Sequence, residues 1–165
     1  MITIYGDSIS GNCMKVKWVA ERLGIEHEWV EIDILKGETR TDAFLAINPF
    51  GQVPVVEFED GRMLTQSNAI ISYFAEGSDL VPDDAFERAK VLEWQFWEQY
   101  SHETAIAVRR FQKHYQQKSD DEIDPHLMAK GRRALGRMEL ALLGNDWIAG
   151  GESMTLADIS LLAYT

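Results

Sequence analysis

The stretch Asn48-Pro49-Phe50-Gly51-Gln52-Val53-Pro54-Val55-Val56-Glu57-Phe58, with Asp60-Gly61 and Gln66-Ser67-Asn68 close behind it, decides how this chain is read. Pro54 stands before a run rich in β-branched and aromatic residues, and a proline at the head of a strand removes no ladder donor. Asp60-Gly61 predicts a type I′ turn with positive φ at both residues, followed by a returning strand at Arg62-Met63-Leu64. Ala69 to Ala75 is apolar enough for a largely buried helix, with Ser67 as its N-cap. A helix N-terminus gathers unpaired N–H groups and partial positive charge, which suits a carboxylate. The backbone at Val53 offers an edge for an extended peptide. One span thus predicts a peptide edge beside an anion pocket. An ordinary hairpin on a helix, with the polar residues as caps, accounts for the same pattern.

Working outward, Ile2-Thr3-Ile4-Tyr5 alternates as a first strand, and Gly6 to Asn12 is a turn-rich loop. Helical spacing of Val16, Val19, Ala20 and Leu23 predicts a helix over Cys13–Leu23, stopped by Gly24. Trp29 to Ile34 reads as a second strand, making a right-handed βαβ unit with parallel strands. Thr41 to Ile47 is a short helix, giving the order βαβαββα. Residues 77–84, rich in glycine, proline and acids, read as a linker between residues 1–76 and an all-helical part over 85–165. That part opens with a helix from Asp84 to Tyr115 and continues with one begun by Asp124-Pro125 and ending near Gly144. Thr155-Leu156-Ala157-Asp158 fits a capping box, and the sequence stops at Leu161–Thr165 inside the helix it opens.

The chain has 165 residues and a net charge of −11, from 16 basic and 27 acidic residues. Such a balance repels phosphate backbones and argues against nucleic acid as a partner. A mean hydropathy of −0.23 and the lack of a long apolar run predict no membrane span, and the N-terminus lacks signal-peptide character. The single cysteine, Cys13, excludes an internal disulfide framework and suits a reducing, cytoplasmic setting. The four histidines are too scattered for a metal site, so no metal is expected.

The arrangement Asn-Pro-x-Gly-x-Val-Pro over residues 48–54, with Gln66-Ser67-Asn68-Ala69-Ile70 after it, resembles the glutathione-binding half of glutathione S-transferases. The Thr155/Asp158 box resembles that family's C-terminal capping box, an element of folding and not of catalysis. The resemblance implies a thioredoxin-like α/β N-terminal domain followed by an all-α domain, a cis peptide before Pro54, and glutathione as cosubstrate. It implies that the Val53 backbone pairs with the cysteinyl part of glutathione, and that Gln66 and Ser67 hold its γ-glutamyl end. Gln52 is expected at the cysteinyl or glycyl part, and Thr39 or Arg40 at the glycine carboxylate.

A thioredoxin-like fold places its reactive group between the first strand and first helix, here Ser10 to Cys13. The helix N-terminus favours an anion there, and a nearby hydroxyl or amide can donate to a thiolate. Ser10-Gly11-Asn12-Cys13-Met14-Lys15-Val16 resembles the serine-type, bacterial-like cytosolic members, in which the serine stabilises the glutathione thiolate. Asn12 is an alternative, as in members with disulfide-reductase activity. Cys13 is another, as in cysteine-type members, although a small buried residue of the first turn explains it equally. Val16 fills the place of a second cysteine, which excludes dithiol exchange.

Tyr100, Thr104, Val108, Phe111 and Tyr115 recur at helical spacing, a seam that suits core or dimer contact as well as a pocket. Tyr100, Val108 and Phe111 are the expected lining for the second substrate, and His102 is expected to be a core or interface residue. The expected activity is conjugation of glutathione to a small apolar electrophile, as in detoxification. Glutathione-dependent disulfide or peroxide reduction is one alternative, and a non-catalytic glutathione-binding or interaction module is another. The resemblance also implies a homodimer.

Overall fold

The computed structural model describes Met1–Thr165 throughout. The chain divides into two compact units, Met1–Ser78 and Asp79–Thr165.

The first unit is a four-stranded mixed sheet with helices, a thioredoxin-like fold. Its elements are β1 (Ile2–Gly6), α1 (Gly11–Arg22), β2 (His27–Glu31), α2 (Asp42–Ile47), β3 (Val55–Glu57), β4 (Met63–Thr65) and α3 (Ser67–Phe74). The strand order is β2-β1-β3-β4. β1 and β2 run parallel, with Ile4 opposite Trp29, while β3 pairs antiparallel with β1 and with β4. Ile4, Val55 and Val56 from the sheet, Val16, Val19 and Ala20 from α1, and Ile70 and Ile71 from α3 are all fully buried. Each of these valine and isoleucine side chains stabilises the fold by roughly 1.5–3 kcal/mol relative to an exposed one.

Three local expectations are corrected. β2 ends at Glu31, before Ile34. Ile32 N still donates to Gly6 O at 2.8 Å, but the amides of Asp33 and Ile34 are drawn to Glu38 Oε2 and Asp7 Oδ2, which turns the chain out of the ladder. The β3–β4 loop runs Phe58–Arg62, with Gly61 alone at positive φ (80°). Phe58 N donates to Arg62 O and Gly61 N to Phe58 O, both at 2.9 Å, so the turn is wider than a two-residue type I′. The N-cap of α3 is Gln66, not Ser67, which is the first helical residue.

The second unit is helical. It contains α4 (Ala85–Trp97), α5 (Glu103–Arg110), α6 (Pro125–Ala141) and α7 (Leu156–Leu162). The backbone stays helical from Ala85 to Tyr115, but two π-helical stretches, Glu98–His102 and Phe111–Tyr115, interrupt the expected single α-helix. Asp84 caps α4 by accepting from Phe86 N and Glu87 N at 2.9 and 3.0 Å. Pro125 occupies the first turn of α6 behind the cap Asp124. Leu80, within the segment read as a linker, is buried at 1% exposure, and its carbonyl accepts from Leu156 N at 3.1 Å.

The box at the start of α7 is complete. Thr155 N and Oγ1 donate to Asp158 Oδ2 at 2.8 and 3.0 Å, and Ala157 N donates to Thr155 Oγ1 at 3.3 Å. Asp158 Oδ1 accepts from Ile148 N at 2.8 Å, so one carboxylate closes the cap and ties down the preceding loop.

Candidate functional site

The site is built where α1 and α3 begin. Asp7, at 3% exposure, shapes the loop leading into α1. Its Oδ1 accepts from Ile9 N at 2.8 Å, its Oδ2 from Ile34 N at 2.9 Å, and its carbonyl from Ser10 N at 3.0 Å. That loop delivers half-buried Ser10 as the N-cap of α1. The Ser10 hydroxyl makes no capping bond to its own helix.

Cys13 is fully buried. Burial pushes its thiol up to about 11, against the lowering by the Ser10 hydroxyl and the Asp7 backbone, while the charges of Asp7 and Glu31 raise it further. At neutral pH only on the order of one such thiol in ten thousand is ionised. Cys13 is therefore a packed first-turn residue in this structure, the bland reading of the sequence.

Asn12 and Ser67 meet: the Ser67 hydroxyl donates to Asn12 Oδ1 at 3.1 Å. This joins the first turn of α1 to that of α3, so two clusters far apart in sequence share one neighbourhood. Gln66, exposed, holds φ 70° and ψ 111°. For a residue with a side chain this costs about 1–3 kcal/mol, and such outliers gather at functional sites.

A second neighbourhood forms around the loop before β3. The Val53–Pro54 peptide is cis. Val53 lies ahead of the ladder, which begins at Val55. Buried Asn48 organises the turn, its Nδ2 donating to Gln52 O at 2.7 Å and its Oδ1 accepting from Phe50 N at 3.2 Å. Gly51 has φ +60°, and a Cβ there would lie 2.7 Å from Arg40 Nη1 and 2.9 Å from Thr39 O. The missing side chain lets the Glu38–Arg40 turn close against this loop, so Thr39 and Arg40 stand beside Gly51, one residue from Gln52. Thr39 is buried and Arg40 exposed, with Arg40 Nη1 donating to Phe50 O at 3.4 Å.

In the helical unit, Tyr100 is 85% exposed and lines a cavity of about 430 Å³ with Trp97, Thr104, Lys130, Arg133 and Arg137. Val108 and Phe111 are not in that lining. The π turns alter the residues-per-turn count that the seam's regular spacing assumed. His102 is buried, its Nε2 3.0 Å from Thr165 Oγ1. No group of three or more metal-ligating side chains is present.

Sequence reasoning passed over Asp7 and Lys15. Asp7 had a signal, since an Asp whose carboxylate bonds an amide two residues on is an Asx turn. Lys15 lies three residues from Asn12 and four from buried Val19, on a face that helical spacing turns inward.

The family model for the N-terminal domain of glutathione S-transferases matches residues 9–76. Glutathione S-transferase F10 of Arabidopsis thaliana is 29% identical, over all of this chain and 80% of its own length. Glutathione S-transferase 3 of Zea mays is 31% identical, over 95% of this chain and 73% of its own. Among solved structures, a glutathione S-transferase from Pseudomonas fluorescens Pf-5 superposes with a TM-score of 0.93 at 45% identity, covering 99% of this chain and 82% of that one. One from Xanthobacter autotrophicus Py2 gives 0.92 at 41% identity, covering 99% and 80%.

Proposed function

The chain belongs to the glutathione S-transferase family, and from that premise we propose that it binds glutathione across the first turns of α1 and α3 and conjugates it to a small apolar electrophile. The observation that carries this reading is the 3.1 Å contact between Ser67 and Asn12, which brings an anion-favouring helix start beside the loop bearing Ser10. In this reading Gln66 and Ser67 hold the γ-glutamyl end, and the Val53 backbone pairs with the cysteinyl part. Gln52, Thr39 and Arg40 meet the glycyl end.

Ser67 Oγ spends its proton on Asn12. It therefore accepts from the α-ammonium of glutathione, or turns to donate to the α-carboxylate. Ser10, with no capping bond of its own, donates to the thiolate. A hydrogen bond to a charged group contributes about 1.5–3 kcal/mol, which lowers the thiol pKa by roughly one to two units. The thiolate then attacks the electrophile directly, forming the C–S bond as the leaving group departs, with no covalent enzyme intermediate. Tyr100, Val108 and Phe111 remain the proposed wall for the apolar partner, although one cavity does not gather them. Reduction through Cys13 is disfavoured by its burial and raised thiol.

A cytoplasmic homodimer engaged in detoxification, without nucleic acid or metal, completes the proposal. No helix is long and apolar enough to cross a membrane. The test is calorimetric titration with glutathione alongside turnover of a generic aromatic halide. Binding with turnover is expected. Binding without turnover of any electrophile would favour the non-catalytic module, and no binding would defeat both readings.

A further inference from the structure

Glu31, the last residue of β2, is exposed, yet both oxygens of its carboxylate are engaged. Oε1 accepts from Ser8 N at 2.9 Å and from Ser8 Oγ at 3.0 Å, and Oε2 accepts from Trp29 Nε1 at 2.7 Å. None of the three donors is charged, so this is not the surface ion pair that contributes little. The Ser8 amide first, then the Trp29 indole and the Ser8 hydroxyl, hold the carboxyl below the usual glutamate range. The indole that supplies Nε1 is itself fixed. A Cβ on Gly6 would stand 2.5 Å from Trp29 Cη2, so the ring lies directly against that residue. Lys17 Nζ, from α1, lies over the same ring at 5.2 Å.

Ser8 stands two residues before Ser10, in the loop that leads into α1. That loop has two anchors. Buried Asp7 holds it from within, through Ile9 N, Ile34 N and the bond from Ser10 N to its carbonyl. Glu31 holds it from the exposed side, through Ser8. The Ser10 hydroxyl at the end of the loop reaches the Cys13 thiol and lowers it. Hydrogen bonds weaken steeply when misaligned, and a small displacement of a reacting group can cost far more than the contact that held it. The charge of Glu31 works in the opposite sense, since it raises the Cys13 thiol. In the proposed site, a thiolate beside Ser10 meets that same charge.

We propose that Glu31 is a positioning residue for the conjugation reaction: its carboxylate clamps Ser8, and through Ser8 the loop that sets where the Ser10 hydroxyl points. The inference rests on the placement of glutathione and the role of Ser10 proposed above. Clamp and charge have opposite signs, which separates them. A glutamate acting by charge alone disfavours the thiolate, so its removal lowers the pKa of the bound thiol. A glutamate that positions Ser10 favours the thiolate, so its removal raises that pKa.

The test compares Glu31→Ala and Glu31→Gln with the unaltered protein, following bound-thiolate absorbance against pH and the KM for glutathione. Glu31→Ala is expected to raise the bound-thiol pKa by about half to one unit, a roughly three- to tenfold loss of thiolate near neutrality. The KM for glutathione should hardly move, because the proposed contacts to its two ends lie elsewhere. Glu31→Gln keeps an oxygen for Ser8 and drops the charge, so its bound-thiol pKa should stay at or below the original. An unmoved or lowered pKa in Glu31→Ala overturns the proposal. Combined with Ser10→Ala, the same substitution should no longer raise the pKa, and a rise that persists without the Ser10 hydroxyl also overturns it. Should Glu31→Ala not fold, Trp29→Phe decides. That variant keeps a ring against Gly6 and removes one donor to Glu31, so a smaller rise is expected, and an unmoved pKa overturns the proposal. Failure of the unaltered protein to bind glutathione would instead defeat the functional reading, and this inference with it.

Discussion

Ser67 and Asn12 are 55 residues apart in sequence, yet the Ser67 hydroxyl donates to Asn12 Oδ1 at 3.1 Å. Ser67→Ala removes that link and, in the proposed site, one polar contact for the γ-glutamyl end. The expected result is a KM for glutathione raised roughly tenfold, with a loss of about 1 kcal/mol in denaturant unfolding. Steady-state kinetics with glutathione varied at saturating electrophile checks it. An unchanged KM would remove Ser67 from the binding site.

Ser10→Ala tests the proposed thiolate donor. Without the hydroxyl, the bound thiol's pKa rises by roughly one to two units. Less thiolate is then present at any pH below that value, so the alkaline-rising limb of kcat/KM moves to higher pH. Activity falls about ten- to a hundredfold near neutrality and recovers in alkaline buffer. A profile that keeps its midpoint would shift the role to Asn12, and the same profile on Asn12→Ala would settle it.

Cys13 makes stability depend on pH. Its thiol stands at about 11 in the folded chain against an ordinary value of 9.0, so the folded state favours the protonated form. The resulting stabilisation is fully present below the unfolded value and is lost as pH rises through the folded one. Unfolding free energy should therefore fall between about pH 9 and 11, by on the order of 2–3 kcal/mol. Cys13→Ala should flatten that portion of the curve while leaving conjugation near its original rate. Thiol-directed alkylation of the native protein at neutral pH should be slow, and denaturant should release it.

Asp158 holds three groups with two oxygens: Thr155 N, Thr155 Oγ1 and Ile148 N. Asp158→Ala strands all three, two of them backbone amides, and should lower unfolding free energy by about 2–4 kcal/mol. Activity per folded molecule should hold. A variant of full stability and reduced turnover would contradict the purely structural role.

Much of this architecture was legible because local signals agreed with the global pattern. Alternation in Ile2–Tyr5, Pro54 ahead of Val55-Val56, Asp124-Pro125 and Thr155/Asp158 all mark the elements they predicted. The misses share a physical cause: each was decided by something beyond the local window. Ser67 looks like a cap by residue type, but the chain enters α3 through a left-handed bend that makes Gln66 the cap. Asp60-Gly61 suits a tight turn, but the pairing of Glu57 with Met63 leaves five residues to span. The Trp29–Ile34 run keeps its alternation while Asp7 and Glu38 draw its end from the sheet. Lys15 was passed over because charge usually means surface, yet it is fully buried and donates to Asn68 on α3. The helix expected from Asp84 to Tyr115 was read as uniform, and two π turns interrupt it.

Gln66 holds a backbone angle, φ 70°, that glycine adopts without penalty. A glycine there would make a sturdier chain, and one missing the amide proposed to grip the ligand. Robustness and recognition thus pull this single position in opposite directions. Selection for heat tolerance alone would be expected to erode the site here first.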